Sequence, residues 1–293
     1  MNDAWRFDKR AVRRAFDRAA ARYDANAGLQ QEVARRLVER SECMRITPEC
    51  IVDAGCGTGY GSRLLRARFP AARLVGLDLA PAMLRAARKA LSPRLRWPPR
   101  ARRAQQVCGD LERLPFAGAS ADMVWSSLAL QWCNDLDAVF ADVWRVLRTD
   151  GLFQFATFGP DTLKELRQAF SGLDGDPHVS RFPDMHDVGD ALVRAGFSAP
   201  VVEMEMFTLT YAELSGLVAD LKAIGAHNAS AGRRRGLMGK GAWARLERAY
   251  EAFRLDGRLP ASYEVIYGHA WKSGVSARKT EASLHFVGRG SRA

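Results

Sequence analysis

Between Ile51 and Leu65 the chain reads IVDAGCGTGYGSRLL: an apolar lead, one carboxylate at Asp53, and glycines at 55, 57, 59 and 61. Glycine after a strand lets the backbone approach a ligand closely, and the following helix offers free N–H groups at its start. A turn of this kind suits a nucleotide or a nucleoside. The dinucleotide fingerprint needs a third glycine at position 60, where Tyr60 stands. A P-loop needs a lysine behind its glycines, and Arg63 is misplaced for that. The spacing that fits is Asp-x-Gly-x-Gly-x-Gly, from Asp53 to Gly59. Nineteen residues past Gly59 stands Asp78, whose carboxylate can accept both hydroxyls of a ribose, as a nucleoside without a diphosphate requires.

These residues need elements to hold them. ECIVDAG reads as a short buried strand and SRLLRARF as the helix after the turn, closed by Pro70. ARLVGLDLA is a second strand that ends near Asp78, and PAMLRAARKAL is a helix with Pro81 in its first turn. AQQVCGD, ADMVWSSL and GLFQFATF are further strands, and DLDAVFADVWRVLR is an amphipathic helix expected to stop at Asp150-Gly151. Strands alternating with helices imply parallel pairing with helices on both faces, an α/β fold. Upstream, Val12, Phe16, Ala19 and Tyr23 stack on one helical face, and Leu29, Val33 and Leu37 continue it after Gly28. Beyond Phe158, PDTLKELRQAF and MHDVGDALVRAGF read as helices, PVVEMEMFTLTY and SYEVIYGHAWK as strands, and the stretch between those strands as interrupted helix.

The Asp53–Gly59 turn resembles the first motif of class I S-adenosylmethionine-dependent methyltransferases. RRAFDRAAARYDANAGLQQEVARRL, SSLALQWCNDL, HVSRF and LKAIGAHNASAGRRRGL are more specific. They are similar to segments of the malonyl-acyl carrier protein O-methyltransferases of biotin synthesis, the BioC family, over about Val12 to Trp271. GPDTL and the helix ending in AGF are shared with a related family, a complex I assembly factor known as an arginine hydroxylase. The resemblance implies a Rossmann-like, seven-stranded, mostly parallel sheet with a helical insertion over the acceptor site. It implies an N-terminal helical lid over 1–45, a methyltransferase domain over 46–272 with insertions at about 160–183 and 211–260, and a flexible tail over 273–293. It places S-adenosylmethionine against Asp53, Gly55, Cys56, Gly57 and Gly59, against Asp78, Leu79 and Met83, against Asp110 and Leu111 near the adenine, and against Ser127 near the sulfonium end.

The implied reaction moves a methyl group to the free carboxylate of a malonyl thioester and so readies the acyl chain for elongation toward pimelate. A carboxyl with a pKa near 4 is already ionised at neutral pH, so no general base is needed. Alignment and exclusion of water would carry the catalysis. An orienting cation is expected, and Arg181 in HVSRF is the first candidate, with a surface ion pair as its other reading. Tyr23 is expected to close over the methionine end or to serve as core, and His227 to touch the acyl group or to end a helix.

The formal net charge of +11 favours acidic partners, although arginine-rich coding alone gives the same bias. Arg233, Arg234 and Arg235, with Lys222 and Lys240, are candidates for docking an acidic carrier protein. The basic stretch at 93–103 reads as a solvated loop or a second docking patch. Five scattered cysteines without a CxxC pair suit a reducing cytoplasm, and the histidines lack metal-ligand spacing. No run of 18 apolar residues and no signal-peptide core occur, and a cytoplasmic monomer is expected. Three rival readings remain: a hydroxylase or small-acid methyltransferase, an assembly factor that binds the nucleoside only structurally, and a nucleic-acid methyltransferase. Against the last, Ser126-Ser127-Leu128 stands where base methyltransferases carry Asn-Pro-Pro-Tyr.

Overall fold

The computed structural model of the protein describes residues 6–92, 104–173, 178–226, 229, 232, 236 and 238–274. His227, Arg233, Arg234, Arg235, the basic stretch 93–103 and the tail from 275 on lie outside the described residues. Seven strands form one sheet: β1 (Cys50–Ala54), β2 (Arg73–Asp78), β3 (Gln105–Cys108), β4 (Ala121–Ser127), β5 (Leu147–Phe158), β6 (Ser198–Tyr211) and β7 (Leu259–Lys272). Their order is β3-β2-β1-β4-β5-β7-β6, parallel from β3 to β5, with β7 antiparallel to both of its neighbours. The expected mostly parallel sheet is thus present.

Strand alternation sorts the core into two layers. Ile51, Met123, Trp125 and Leu152 face one side, where α3 (Gly28–Arg40), α4 (Tyr60–Arg68), α7 (Lys164–Ser171) and α10 (Lys240–Glu251) supply Val33, Leu65, Leu166 and Tyr250. Val52, Val124, Phe153 and Phe155 face the other, against Phe140 and Val143 of α6 (Leu136–Val146) and Val188 and Leu192 of α8 (Met185–Arg194). Both faces of the central strands are covered, which is why β1 is buried at every position. The remaining helices are α1 (Lys9–Ala19), α2 (Tyr23–Asn26), α5 (Pro81–Leu91) and α9 (Leu214–Ala223).

Three boundaries differ from the sequence reading. The N-terminal helix is broken twice, so Tyr23 opens the short α2 and is not the last residue of α1. Helix α6 ends at Val146, because Leu147 is fully buried and already pairs with Ala121 of β4. Helix α7 begins at Lys164, four residues later than Pro160. The Leu163 N–H donates to the Ser262 carbonyl at 2.6 Å and the Thr162 hydroxyl to the Glu264 carbonyl at 3.0 Å, which ties that segment to β7.

Candidate functional site

The site begins at the carboxyl ends of β1 and β2. Gly55 and Cys56 donate their N–H groups to the Leu77 carbonyl, at 2.7 and 2.9 Å, which folds the turn after β1 across the end of β2. Gly55 sits at φ +87°, and a Cβ there would lie 2.2 Å from the Cβ of Ala129. Gly57, at φ +51°, has nothing within 4 Å of where its Cβ would stand. Its N–H donates to Asp78 Oδ2 at 2.9 Å, while the Ala80 N–H donates to Oδ1 at 2.8 Å. Each carboxylate oxygen keeps accepting capacity for a hydroxyl.

Around this turn lies a cleft of about 610 Å³, counted with the open space at its mouth. Gly55, Gly57, Asp78, Leu79, Met83, Asp110, Leu111 and Ser127 line it, all named from the sequence. A second recess of about 430 Å³ shares Tyr23, Gly55, Gly57 and Ser127 with the first and adds Asp53, Cys56, Asp24, Gln30 and Gln31. Gly59 lines neither recess. It caps α4 and lies against Ala87 and Leu91 of α5.

Carboxylates dominate the electrostatics. Asp53 is fully buried; the Ser62 hydroxyl donates to Oδ2, and Oδ1 has no partner among the described residues. Burial, only partly opposed by that hydroxyl, pushes Asp53 up to about 7. Burial likewise raises Asp78 to about 6 against the pull of the Ala80 and Gly57 amides. Burial and the nearby charges of Asp78 and Asp24 push the Tyr23 phenol up, so it stays neutral. The Cys56 thiol is raised by burial and stays protonated. These groups fit a cationic nucleoside cofactor: Asp78 for the ribose, the orphaned Asp53 oxygen for an ammonium, and the open side of Gly57 as the cradle.

The residues of α1 that line the cleft escaped the sequence reading as site residues. Val12 and Phe16 were assigned to a core stripe but line the cleft, as does Lys9. Lys9 Nζ donates to Asp110 Oδ1 at 3.0 Å and lies 3.2 Å from Glu112, which pins α1 over the end of β3. The Ala82 N–H, in the first turn of α5, donates to Asp17 of α1 at 2.8 Å. Trp132 sits edge-on to Phe7 and Phe16, at 5.4 and 5.3 Å. Only the apolar spacing on α1 signalled any of this, and that spacing does not distinguish a core from a lid.

A third cavity, about 900 Å³ and mostly apolar, lies under α7 and α9. Phe158, Leu166, Val179, Val218 and Tyr263 form much of its wall. It shares Trp132 with the cleft and Gln30 with the second recess, so it adjoins both across a boundary, or neck, formed by these side chains. Arg181 is exposed and outside this lining, between Ser180 and Phe182, which belong to it. Lys222 is exposed yet lines the chamber at the end of α9, and Lys240 is exposed at the start of α10. The structure therefore brings the nucleoside set together with Tyr23, and sets Arg181 and Lys240 apart from it.

Comparison with known proteins agrees with this geometry. Residues 52–155 match the methyltransferase domain family. The chain is 59% identical over 280 residues to the malonyl-acyl carrier protein O-methyltransferase of Laribacter hongkongensis, covering 95% of this chain and 94% of that protein. It is 54% identical to the enzyme of the same name from Gallionella capsiferriformans, covering 94% and 95%. Among solved structures, the phosphoethanolamine N-methyltransferase 2 of Haemonchus contortus, in complex with S-adenosylhomocysteine, superposes with a TM-score of 0.54 at 16% identity. That match covers 88% of this chain and 57% of that one. At that identity the likeness establishes the fold, which is the Rossmann-like fold of class I methyltransferases.

Proposed function

The chain belongs to the malonyl-acyl carrier protein O-methyltransferases, and from that premise we propose how its own residues carry out the reaction. The substrate is a malonyl group held as a thioester on an acyl carrier protein, and the product is its methyl ester, the step that lets the acyl chain grow toward the pimeloyl unit of biotin. The cofactor is S-adenosylmethionine, which supplies an electrophilic methyl group. Asp78 would hold the ribose hydroxyls, Asp110 and Leu111 the adenine, and Asp53 the amino-acid end. Tyr23, which lines both recesses, would close the lid over the methionine end.

The observation that supports this reading is an apolar chamber that borders the carboxylate-bearing cleft at Trp132 and the second recess at Gln30. A long acyl arm can enter the chamber while its terminal carboxylate reaches the cleft. The carboxylate arrives ionised, so the residues at the neck have only to align it and keep water out. Helices α7, α9 and α10 would form the insertion that covers the acceptor. Arg181, with its neighbours in the chamber wall, and His227 remain the candidates for steering the acid. Lys222 and Lys240, together with Arg233, Arg234 and Arg235, would attract the acidic carrier protein from outside. Among the described residues no helix is long and apolar enough to cross a membrane, in keeping with a cytoplasmic enzyme, which we take to be a monomer.

The test is incubation of the purified protein with methyl-labelled S-adenosylmethionine and malonyl-, glutaryl- or succinyl-carrier protein. Base-labile label should appear on the malonyl form first. Label on another amino acid of a protein, or none on any carrier, would overturn the reading. Replacing Arg233, Arg234 and Arg235 together by Ala should lower kcat/KM for malonyl-carrier protein by about tenfold at low salt, and by less as salt screens the encounter. Malonyl-coenzyme A should be nearly unaffected. Equal loss on both substrates would place the cluster on the shared arm instead.

A further inference from the structure

Among the described residues, one buried polar atom of the chamber lining has no partner. Gln131 lies on the one-turn helix Leu130–Trp132 that follows β4, and it is only 8% exposed. Its Nε2 donates to the Leu128 carbonyl at 2.7 Å, and a carbonyl partner fixes the orientation of the amide. The oxygen is therefore turned away from Leu128, and it has no partner among the described residues. Two other polar groups of the chamber are engaged. The Thr162 hydroxyl donates to the Glu264 carbonyl and accepts from the Glu264 N–H at 3.1 Å, and the Tyr263 hydroxyl is bonded to Tyr211. A buried acceptor left unpaired in a native fold calls for a donor that arrives with a ligand or a water.

Position narrows the donor. Gln131 lines the chamber and not the cleft, and it precedes Trp132, the residue that borders both, so it belongs to the space where the arm behind the acyl end would lie. An ionised malonyl group offers no N–H or O–H. The arm of a carrier-protein thioester offers an amide N–H two carbons from the sulfur, and burying that N–H in an apolar chamber without an acceptor is unfavourable. We infer that the Gln131 carboxamide oxygen accepts the hydrogen bond of this sulfur-proximal amide, which makes the residue a selector for amide-bearing thioesters and a positioning residue for the acyl group. The inference rests on the proposed malonyl-carrier substrate and assigns the part of that substrate which the chamber reads.

The test uses carrier protein bearing malonyl on two arms: the natural one, and one in which the sulfur-proximal amide is replaced by an ester of the same length. The wild-type protein should prefer the amide arm by about tenfold in kcat/KM, the worth of a hydrogen bond to an otherwise unpaired buried group. In Gln131→Leu the rate on the amide arm should fall to that on the ester arm, the latter changing little. S-adenosylmethionine affinity should stay at the wild-type value. Equal wild-type rates on the two arms would overturn the inference without any variant, and would mean that water alone serves the Gln131 oxygen. A preference that survives in Gln131→Leu, or an equal loss on both arms through the missing Leu128 bond, would overturn it as well. No turnover even on the natural malonyl-carrier protein would instead refute the substrate reading itself.

Discussion

The cleft at the glycine turn and the apolar chamber adjoin at Trp132 but are built on opposite principles. In the cleft the recognition groups are fixed by backbone: the Gly55 and Cys56 amides hold the turn to Leu77, and Asp78 is held at both oxygens by Gly57 and Ala80. In the chamber the walls are apolar side chains from β5, β7, α7 and α9, which meet only when distant parts of the chain pack. A nucleoside with fixed polar edges can be matched by preorganised donors and acceptors. A flexible acyl arm is matched by volume and by few polar points. Substitutions in the cleft should therefore act through geometry and charge, and those in the chamber through shape.

The sharpest way to break this division is at Gly55. Its φ of +87° and a Cβ position 2.2 Å from Ala129 leave no room for a side chain. Gly55→Val should abolish measurable S-adenosylmethionine binding by calorimetry and lower Tm, since strain and overpacking each cost roughly 1–3 kcal/mol. A variant that still binds normally would mean that the turn is not preorganised.

Next in size is Asp78→Asn. Loss of a charged acceptor for the ribose costs roughly 1.5–3 kcal/mol, so the affinity for S-adenosylmethionine should fall about 10- to 150-fold with Tm little changed. The pH dependence sharpens the point. With its pKa at about 6, Asp78 in the unliganded protein takes up a proton as pH falls through that value. The ionised form is the one that accepts hydroxyls, so wild-type affinity should fall more steeply below about 6 than that of Asp78→Asn, which keeps only the shallower decline due to Asp53. A parallel decline in both would move the effect to another group.

The chamber gives the converse case. Val218 lines it from α9, and Val218→Phe should fill part of the space. KM for malonyl-carrier protein should rise by roughly tenfold, while S-adenosylmethionine affinity should stay within about twofold, as expected for a shape defect remote from the fixed polar groups. An equal effect on both ligands would show that the two spaces are coupled through the neck.

The same contrast explains what was legible in the sequence. Asp53, Gly55, Gly57 and Asp78 could be expected to lie together because one strand-turn-helix spacing sets them side by side, as the structure has them. Lys9 could not, because its partners Asp110 and Glu112 lie about a hundred residues away and no local pattern joins them. Val12 and Phe16 were visible as an apolar stripe, but periodicity reports that a face is covered, not what covers it. Gly59 was read as part of the cradle because it continues the motif, whereas its packing on Ala87 depends on the placement of α5. The end of α6 was misplaced for a similar reason: Leu147 suits a helix locally, and only its pairing with Ala121 makes it a strand residue.

The smallest expected effect probes the orphaned Asp53 oxygen. Burial holds Asp53 at about 7, well above the unfolded carboxylate value of 3.8. Between those two values the native state holds a proton that the unfolded chain has released, so this group's contribution to stability is complete below the unfolded value and is lost as pH rises through about 7. Thermal denaturation of the unliganded protein should accordingly show Tm rising by a few degrees as pH is lowered from above 7, since about 1 kcal/mol corresponds to roughly 2–4 °C in a chain of this size. Asp53→Asn should show a smaller rise, confined to the lower window in which Asp78 takes up its proton. Saturating S-adenosylmethionine should also suppress it in the wild-type protein, because an ammonium placed on Oδ1 favours the ionised carboxylate and lowers its pKa. A rise that persists with the cofactor bound would mean that the oxygen stays unpaired in the complex, and that the amino-acid end of the cofactor is held elsewhere in the second recess, where Asp24 carries the other carboxylate.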